Sequence, residues 1–66
     1  YLLVDVIRGL SDSGKTLAEI AKISGLSEKD VRTVYKKGTK LPLNRIRTAM
    51  KNLAPAWRRV TEVEVV

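Results

Sequence analysis

The chain has 66 residues and a formal charge of +6, with no cysteine and no histidine. This length supports one small domain with a thin core, because only about 60% of the surface of so short an unfolded chain is buried on folding. Without thiols or imidazoles, neither a disulfide framework nor a metal site is expected. The sequence has no run of about 18 apolar residues and no secretory signal pattern, so we expect a cytoplasmic protein without a membrane-spanning helix.

Residues 1–10, YLLVDVIRGL, form the first predicted element. Leu3, Ile7 and Leu10 fit one face of a helix, whereas the β-branched side chains in the same stretch also suit a buried strand. We favour a helix, whose apolar stripe is expected to pack across the two helices that follow it.

Residues 9–16, GLSDSGKT, match the phosphate-loop pattern G-x-x-x-x-G-K-S/T at every position. In such a loop the backbone N–H groups surround the phosphates, Lys15 reaches the β and γ oxygens, and Thr16 binds magnesium. However, no further central strands and no second magnesium-binding carboxylate follow, and Asp12 places a negative charge in the loop. We therefore predict a polar turn whose Thr16 caps the next helix, and we keep nucleotide binding as an alternative.

Residues 17–24 form the second predicted helix. Thr16, followed three residues later by Glu19, places a hydroxyl and a carboxylate where the first N–H groups of a helix lack partners. Gly25 follows at the point where the helix should end, and the sharp turn there favours the positive φ that glycine adopts without strain. The residues of this helix expected to face the core are Leu17, Ile20, Ala21 and Ile23.

A third helix is predicted to begin after Ser27 and to end near Lys37. Ser27 and Asp30 repeat the capping signal, while Lys36 suits the negative end of the helix dipole and Gly38 stops the helix. The apolar residues expected to join this helix to the preceding one are Ile20, Ala21, Leu26, Val31 and Val34.

Two short amphipathic helices joined by a glycine turn, over residues 17–38, resemble the helix-turn-helix of the lambda-repressor, Cro and Xre-like families. Ser24 departs from the family pattern, in which an apolar or small residue is usual at this position. The resemblance implies an all-α DNA-binding domain in which the second helix of the motif enters the major groove of a duplex.

The side chains opposite the buried valines of that helix are then expected to contact bases. They are Ser27, Glu28, Lys29, Arg32 and Thr33. Arg32 suits guanine O6 and N7, Glu28 suits cytosine N4, and Thr33 suits a thymine methyl group or a phosphate. The alternative for Glu28 is a favourable charge at the helix start. Phosphate contacts are expected from Thr16, Lys36, Lys37, Lys40 and Arg45.

Residues 38–42, GTKLP, predict a turn, and residues 43–53 predict a fourth helix. The apolar residues at helical spacing in this helix are Leu43, Ile46, Met50 and Leu53. The order of glycine, short turn, proline and helix extends the resemblance to residues 16–53. It also argues against a winged helix, because the region where a β-hairpin wing should start is helical.

The C-terminal residues 55–66 carry two further signals. Pro55 is expected to break or restart the chain, and Trp57 is expected to fold back on the core. In residues 60–66, VTEVEVV, valine and glutamate alternate with the period of a strand. A lone strand is unstable in water, so it is expected to pair with its twin in a dimer as in Cro-like proteins, with residues 1–7, or with a segment beyond this sequence.

The distribution of charge points to a polyanionic partner. Residues 32–59 contain nine basic residues and no acidic one, and the simple alternative is a solvated basic face. The basic residues are Arg32, Lys36, Lys37, Lys40, Arg45, Arg47, Lys51, Arg58 and Arg59. The predicted fold is an all-α bundle of four to five helices with a C-terminal strand. Residues 1–54 are assigned to the DNA-binding domain, and residues 55–66 to an extension that serves as a dimerisation strand or the start of a linker.

The predicted function is sequence-specific binding of double-stranded DNA, without catalysis or a cofactor, in a transcriptional regulator such as a repressor. A homodimer is expected because one reading helix covers too few base pairs for useful specificity. Two alternatives come from other classes. One is a nucleotide-binding fragment that uses residues 9–16, and the other is a helix-turn-helix that serves as a protein-interaction module of a recombination or replication protein.

Overall fold

The structure, a computed structural model, describes residues 2–62, and this part of the chain contains four helices and no strand. The helices in chain order are α1 (Leu3–Asp12), α2 (Leu17–Ser24), α3 (Glu28–Lys37) and α4 (Leu43–Glu62). The prediction of a small all-α bundle is therefore confirmed for the described residues. None of these four helices is both long enough and apolar enough to cross a bilayer.

The first residues of the chain form a helix rather than a strand. The buried side chains of α1 are Leu3, Val6, Ile7 and Leu10. A helix gathers residues at these spacings into one stripe, whereas a strand points Val6 and Ile7 to opposite faces. Helical geometry thus buries both residues on a single surface. The helix continues to Asp12, two residues beyond its predicted end.

Helices α2 and α3 begin and end where the capping signals predict. Thr16 Oγ1 accepts a hydrogen bond from the Glu19 N–H at 3.1 Å, and the Thr16 N–H donates to the Glu19 carboxylate at 3.5 Å. Ser27 Oγ accepts from the Asp30 N–H at 3.1 Å. Each helix is closed by a glycine in the left-handed region, where other residues are strained. These glycines are Gly25, with φ 81°, and Gly38, with φ 65°.

All four helices contribute to one apolar core. Its buried residues are Leu3, Val6, Ile7, Leu10, Ile20, Ala21, Leu26, Val31, Val34, Ala49 and Leu53, and Leu17, Ile46 and Met50 pack partly buried against them. Ile23, which is predicted to face the core, is instead 36% exposed, and Leu43, one of the apolar residues at helical spacing in α4, is 63% exposed. Ile23 lies at the edge of the apolar stripe of α2. Leu43 is the first residue of α4, where the preceding turn that would help to cover it is missing.

Helix α4 continues through Pro55, so the expectation that this proline breaks the chain is wrong. A proline inside a helix removes one hydrogen bond and crowds the carbonyl four residues earlier. The Pro55 ring is exposed, and beyond it Ala56, Trp57 and Val60 pack against the core, as predicted for Trp57. The apolar surface buried by these residues offsets the cost of the proline, and the helix therefore extends to Glu62.

The strand predicted for residues 60–66 is not seen where the structure can test it. Residues 60–62 belong to α4, and residues 63–66 lie outside the described residues. Val60 follows Leu53 and Trp57 at helical spacing, so a helix places it on the packed side of α4. For residues 60–62 this packing outweighs the strand-like alternation of valine and glutamate.

Candidate nucleic-acid interface

The turn between α2 and α3 is held by the buried hydroxyl of Ser24. Ser24 Oγ donates to the Ala21 carbonyl at 3.1 Å and accepts from the Leu26 N–H at 3.2 Å. A buried N–H without a partner is costly, and an apolar side chain at position 24 has no acceptor to offer. The serine that departs from the helix-turn-helix pattern therefore stabilises the short connection, residues 25–27, that orients α3.

Two side chains from the other helices bind the C-terminal ends of α2 and α3. Asn52 Nδ2 on α4 donates to the Ser24 carbonyl at 3.0 Å, and Arg8 Nε on α1 donates to the Tyr35 carbonyl at 3.0 Å. Carbonyls in the last turn of a helix lack intrahelical partners, so these bonds satisfy groups that would otherwise need water. Sequence reasoning missed both residues, because each partner lies far away along the chain and no local pattern indicates it.

Helix α3 presents a polar and mostly basic face opposite Val31 and Val34, its two buried residues. The side chains on this face are Lys29, Arg32, Thr33 and Lys36. Ser27 and Glu28 lie at its N-terminal end, where both are exposed. All five predicted base-reading residues therefore lie on or beside one outward face of a single helix. We refer to this surface, from Ser27 to Lys36, as the reading face.

Some groups on the reading face already have partners within α3. Arg32 Nη2 lies 3.2 Å from Glu28 Oε1, and both side chains are 53% exposed. Thr33 Oγ1 donates to the Lys29 carbonyl at 2.9 Å. An exposed ion pair between residues four apart on a helix contributes only about 0.3–0.5 kcal/mol. Arg32 can therefore exchange Glu28 for another acceptor at small cost.

The five predicted phosphate contacts do not form one group. Lys36 and Lys37 at the end of α3, and Lys40 in the loop that follows, are exposed and make no ion pair with any described residue. Thr16 uses its hydroxyl as the cap of α2. Arg45 is engaged with a carboxylate on α3. The lysines thus extend the basic surface beyond the reading face, whereas Thr16 and Arg45 already have structural roles.

Arg45 joins the start of α4 to the first turn of α3. Its guanidinium donates to Asp30 Oδ2 at 2.7 Å, and the two side chains are 45% and 29% exposed. This hydrogen bond lowers the pKa of the Asp30 carboxyl below its ordinary value. Asp30 therefore stays ionised and pairs with a cation that was expected to reach a phosphate.

The stretch that matches a phosphate loop does not form a single loop. Residues 9–12 belong to α1. The four following N–H groups, of residues 13–16, all donate within the chain. Their acceptors are the carbonyls of Gly9, Ser11 and Leu10 and the carboxylate of Glu19. No backbone donor of residues 13–16 is left to surround a phosphate, so nucleotide binding of that kind would require this turn to rearrange.

Comparison with protein-family models, with curated proteins and with solved structures finds no match for this chain. The candidate interface is therefore defined by its own residues. They form a helix whose outward face carries hydrogen-bonding and cationic side chains, followed by Lys37 and Lys40 on adjoining exposed surface.

Proposed function

We propose that this domain binds double-stranded DNA with sequence preference, by placing the reading face of α3 in the major groove. The observation that carries the proposal is the outward row of Lys29, Arg32, Thr33 and Lys36 on a helix whose other side is buried. A helix fits the major groove of B-form DNA. These side chains can donate hydrogen bonds to acceptor atoms on the base edges and on the phosphates.

The charge of the surface around the reading face supports the same proposal. Lys36, Lys37 and Lys40 follow one another from the end of α3 into the loop, and all three are exposed. Cations placed beside a reading helix contact the phosphates that flank the bases and set the register of the protein on the duplex. Each such contact releases counterions, so binding should weaken steeply as salt is added.

The chemistry of Arg32 and Glu28 indicates the kind of base step that the face prefers. Arg32 can donate two hydrogen bonds to guanine O6 and N7, and Glu28 can accept from cytosine N4. The two side chains pair with each other at 3.2 Å, and this exposed ion pair can open at small cost for each to contact a base pair. A site that contains guanine and cytosine at neighbouring positions fits this pair.

The proposal includes a homodimer that acts as a transcriptional regulator, for instance a repressor. A single reading helix contacts only a few base pairs, and a two-fold complex doubles the length of the recognised site. We expect the two half-sites to lie about one helical turn of DNA apart, which is about 34–36 Å.

Selection of bound duplexes from a random library tests the proposal. An enriched palindrome is expected for the native chain, and with Arg32→Ala the preference at one base pair of each half-site should be relaxed. Arg58→Ala is the matched control, because Arg58 is an exposed arginine on α4 outside the reading face. If no duplex is retarded in a gel at about 50 mM salt, where even non-specific binding should be seen, the proposal fails. A protein-interaction module would then be the better assignment.

A further inference from the structure

One side of α4 carries Arg45, Asn52 and Arg59 at intervals of seven residues. Seven residues make almost two helical turns, so the three side chains lie in one row along the helix. The first two each meet a complementary group on the helix-turn-helix. Arg45 binds the carboxylate of Asp30, and Asn52 binds the carbonyl of Ser24.

The third residue of the row, Arg59, faces a different environment. It lines a cavity of about 410 Å³ together with Ser13, Lys15, Ala56 and Val60. Lys15 brings a second cation to this cavity, and neither cation makes an ion pair with any of the side chains that the structure describes between residues 2 and 61. The Ser13 hydroxyl donates to the Leu10 carbonyl at 2.7 Å, so its proton already has an acceptor within the chain. Two positive charges therefore share one cavity with no acidic residue among those that line it.

We propose that this Lys15–Arg59 cavity binds a phosphomonoester, that is, a small ligand with a dianionic phosphate and an apolar substituent. A phosphomonoester carries about −1.5 to −2 charges near neutral pH, which matches two cations, whereas a carboxylate supplies one. Hydrogen bonds between such ionised groups are about twice as strong as neutral ones. Ala56 and Val60 give the cavity an apolar side against which the substituent packs.

The Lys15–Arg59 cavity is separate from the reading face, and it is not a phosphate loop. Arg59 follows Arg45 by fourteen residues, which places it roughly 21 Å along α4 from the ion pair beside the reading face. It also differs from a phosphate loop, because the N–H groups of residues 13–16 donate within the chain. The phosphate is held by the side chains of Lys15 and Arg59.

Isothermal titration calorimetry of the 66-residue chain with phenyl phosphate tests the proposal. We expect saturable binding with one ligand per chain, weakened about tenfold by Lys15→Ala and by Arg59→Ala. Lys22→Ala and Arg58→Ala are the matched controls, since each removes an exposed cation of α2 or α4 outside the cavity. Phenyl sulfate, which has the same ring but a single charge, should bind at least about fivefold more weakly.

NMR spectra of the backbone amides of the unaltered chain provide a second measurement that does not depend on any variant. Changes in chemical shift caused by phenyl phosphate should be confined to residues 13–15 and 56–60. The proposal is overturned if binding does not saturate, if the control variants weaken it equally, or if phenyl sulfate binds as tightly. It is also overturned if a duplex of about 20 base pairs displaces phenyl phosphate, since the cavity would then contact the DNA backbone.

Discussion

A Cβ atom at Gly9 on α1 would overlap the six-membered ring of Trp57 on α4, at Cζ3 and Cη2. The lack of a side chain at Gly9 therefore lets the indole ring lie directly against the backbone of α1. Gly9 is also the first glycine of the stretch that matches a phosphate loop. Close packing between α1 and α4 therefore explains why position 9 is a glycine, and no phosphate-binding role is needed to explain it.

Replacement of Gly9 by alanine should destabilise the fold. Alanine gains roughly 1 kcal/mol of helix propensity over glycine, but displacement of a packed ring costs about 1–3 kcal/mol. We expect a net loss of up to about 2 kcal/mol in the free energy of unfolding, measured by urea denaturation. Ser11→Ala in the same helix is the control and should have little effect. A Gly9→Ala chain that gains the full benefit of alanine, about 1 kcal/mol, would contradict the close contact with Trp57.

The ion pair between Asp30 and Arg45 should make stability depend on pH in acid. Arg45 lowers the pKa of Asp30 in the folded chain, so the pair stabilises the native state above the ordinary carboxyl pKa of about 4. This stabilisation is lost as the pH falls through the lowered pKa. Asp30→Asn should therefore be less stable than the native chain at neutral pH, and the difference should disappear in strong acid.

Denaturation midpoints in a series of buffers measure this difference. Arg45→Gln should destabilise the chain in the same pH range. The double variant should be no less stable than either single variant, because each substitution alone already removes the same interaction between Asp30 and Arg45. Strictly additive losses at neutral pH would show that the two side chains do not act as a pair.

The parts of the fold predicted correctly from the sequence depend on residues that are close in the chain. Thr16 with Glu19, Ser27 with the Asp30 N–H, and the glycine at position 25 are such local signals, and the bounds of α2 and α3 follow from them. The outward face of α3 follows from helical periodicity once Val31 and Val34 are assigned to the core.

The errors have the opposite cause, because they depend on contacts between distant residues. Local rules predict that a helix ends near Pro55. They cannot predict the packing of Trp57 against Gly9 on α1, because these two residues are far apart in the chain. The sequence also does not show that Asp30 lies beside Arg45, whose phosphate contact stays a prediction. The bonds of Asn52 and Arg8 to carbonyls on other helices were missed for the same reason.

Removal of the Ser24 hydroxyl should weaken the turn between α2 and α3. In Ser24→Ala the Leu26 N–H loses its acceptor in a buried place, and we expect a loss of about 1–3 kcal/mol in the free energy of unfolding. Thr48→Ala is the control, because Thr48 also donates to a helix carbonyl but is exposed. That variant should change stability by less than about 0.5 kcal/mol. Amide exchange should also become faster at Leu26, and unchanged exchange there would mean that Ser24 does not protect the turn.

Arg32 and Lys40 are expected to contribute to DNA binding in different ways. Arg32→Ala should weaken binding to a selected duplex by about 1–3 kcal/mol and relax the preference at one base pair, since a bidentate contact with guanine is lost. Lys40→Ala should weaken binding to selected and unrelated duplexes alike. It should also lower the slope of log affinity against log salt concentration by about one, because one phosphate contact disappears. Fluorescence anisotropy over a range of salt concentrations measures both effects.

Arg32→Lys separates the charge of this residue from its hydrogen-bonding geometry. Lysine keeps the positive charge but lacks the planar group that donates two parallel hydrogen bonds. The variant should therefore bind unrelated duplexes as the native chain does, while its preference for the selected duplex falls towards that of Arg32→Ala. If Arg32→Lys retains the full preference, Arg32 contacts a phosphate rather than a base. If Arg32→Ala also leaves binding to the selected duplex unchanged, α3 does not lie in the groove as proposed, and the exposed face of another helix must make the contact.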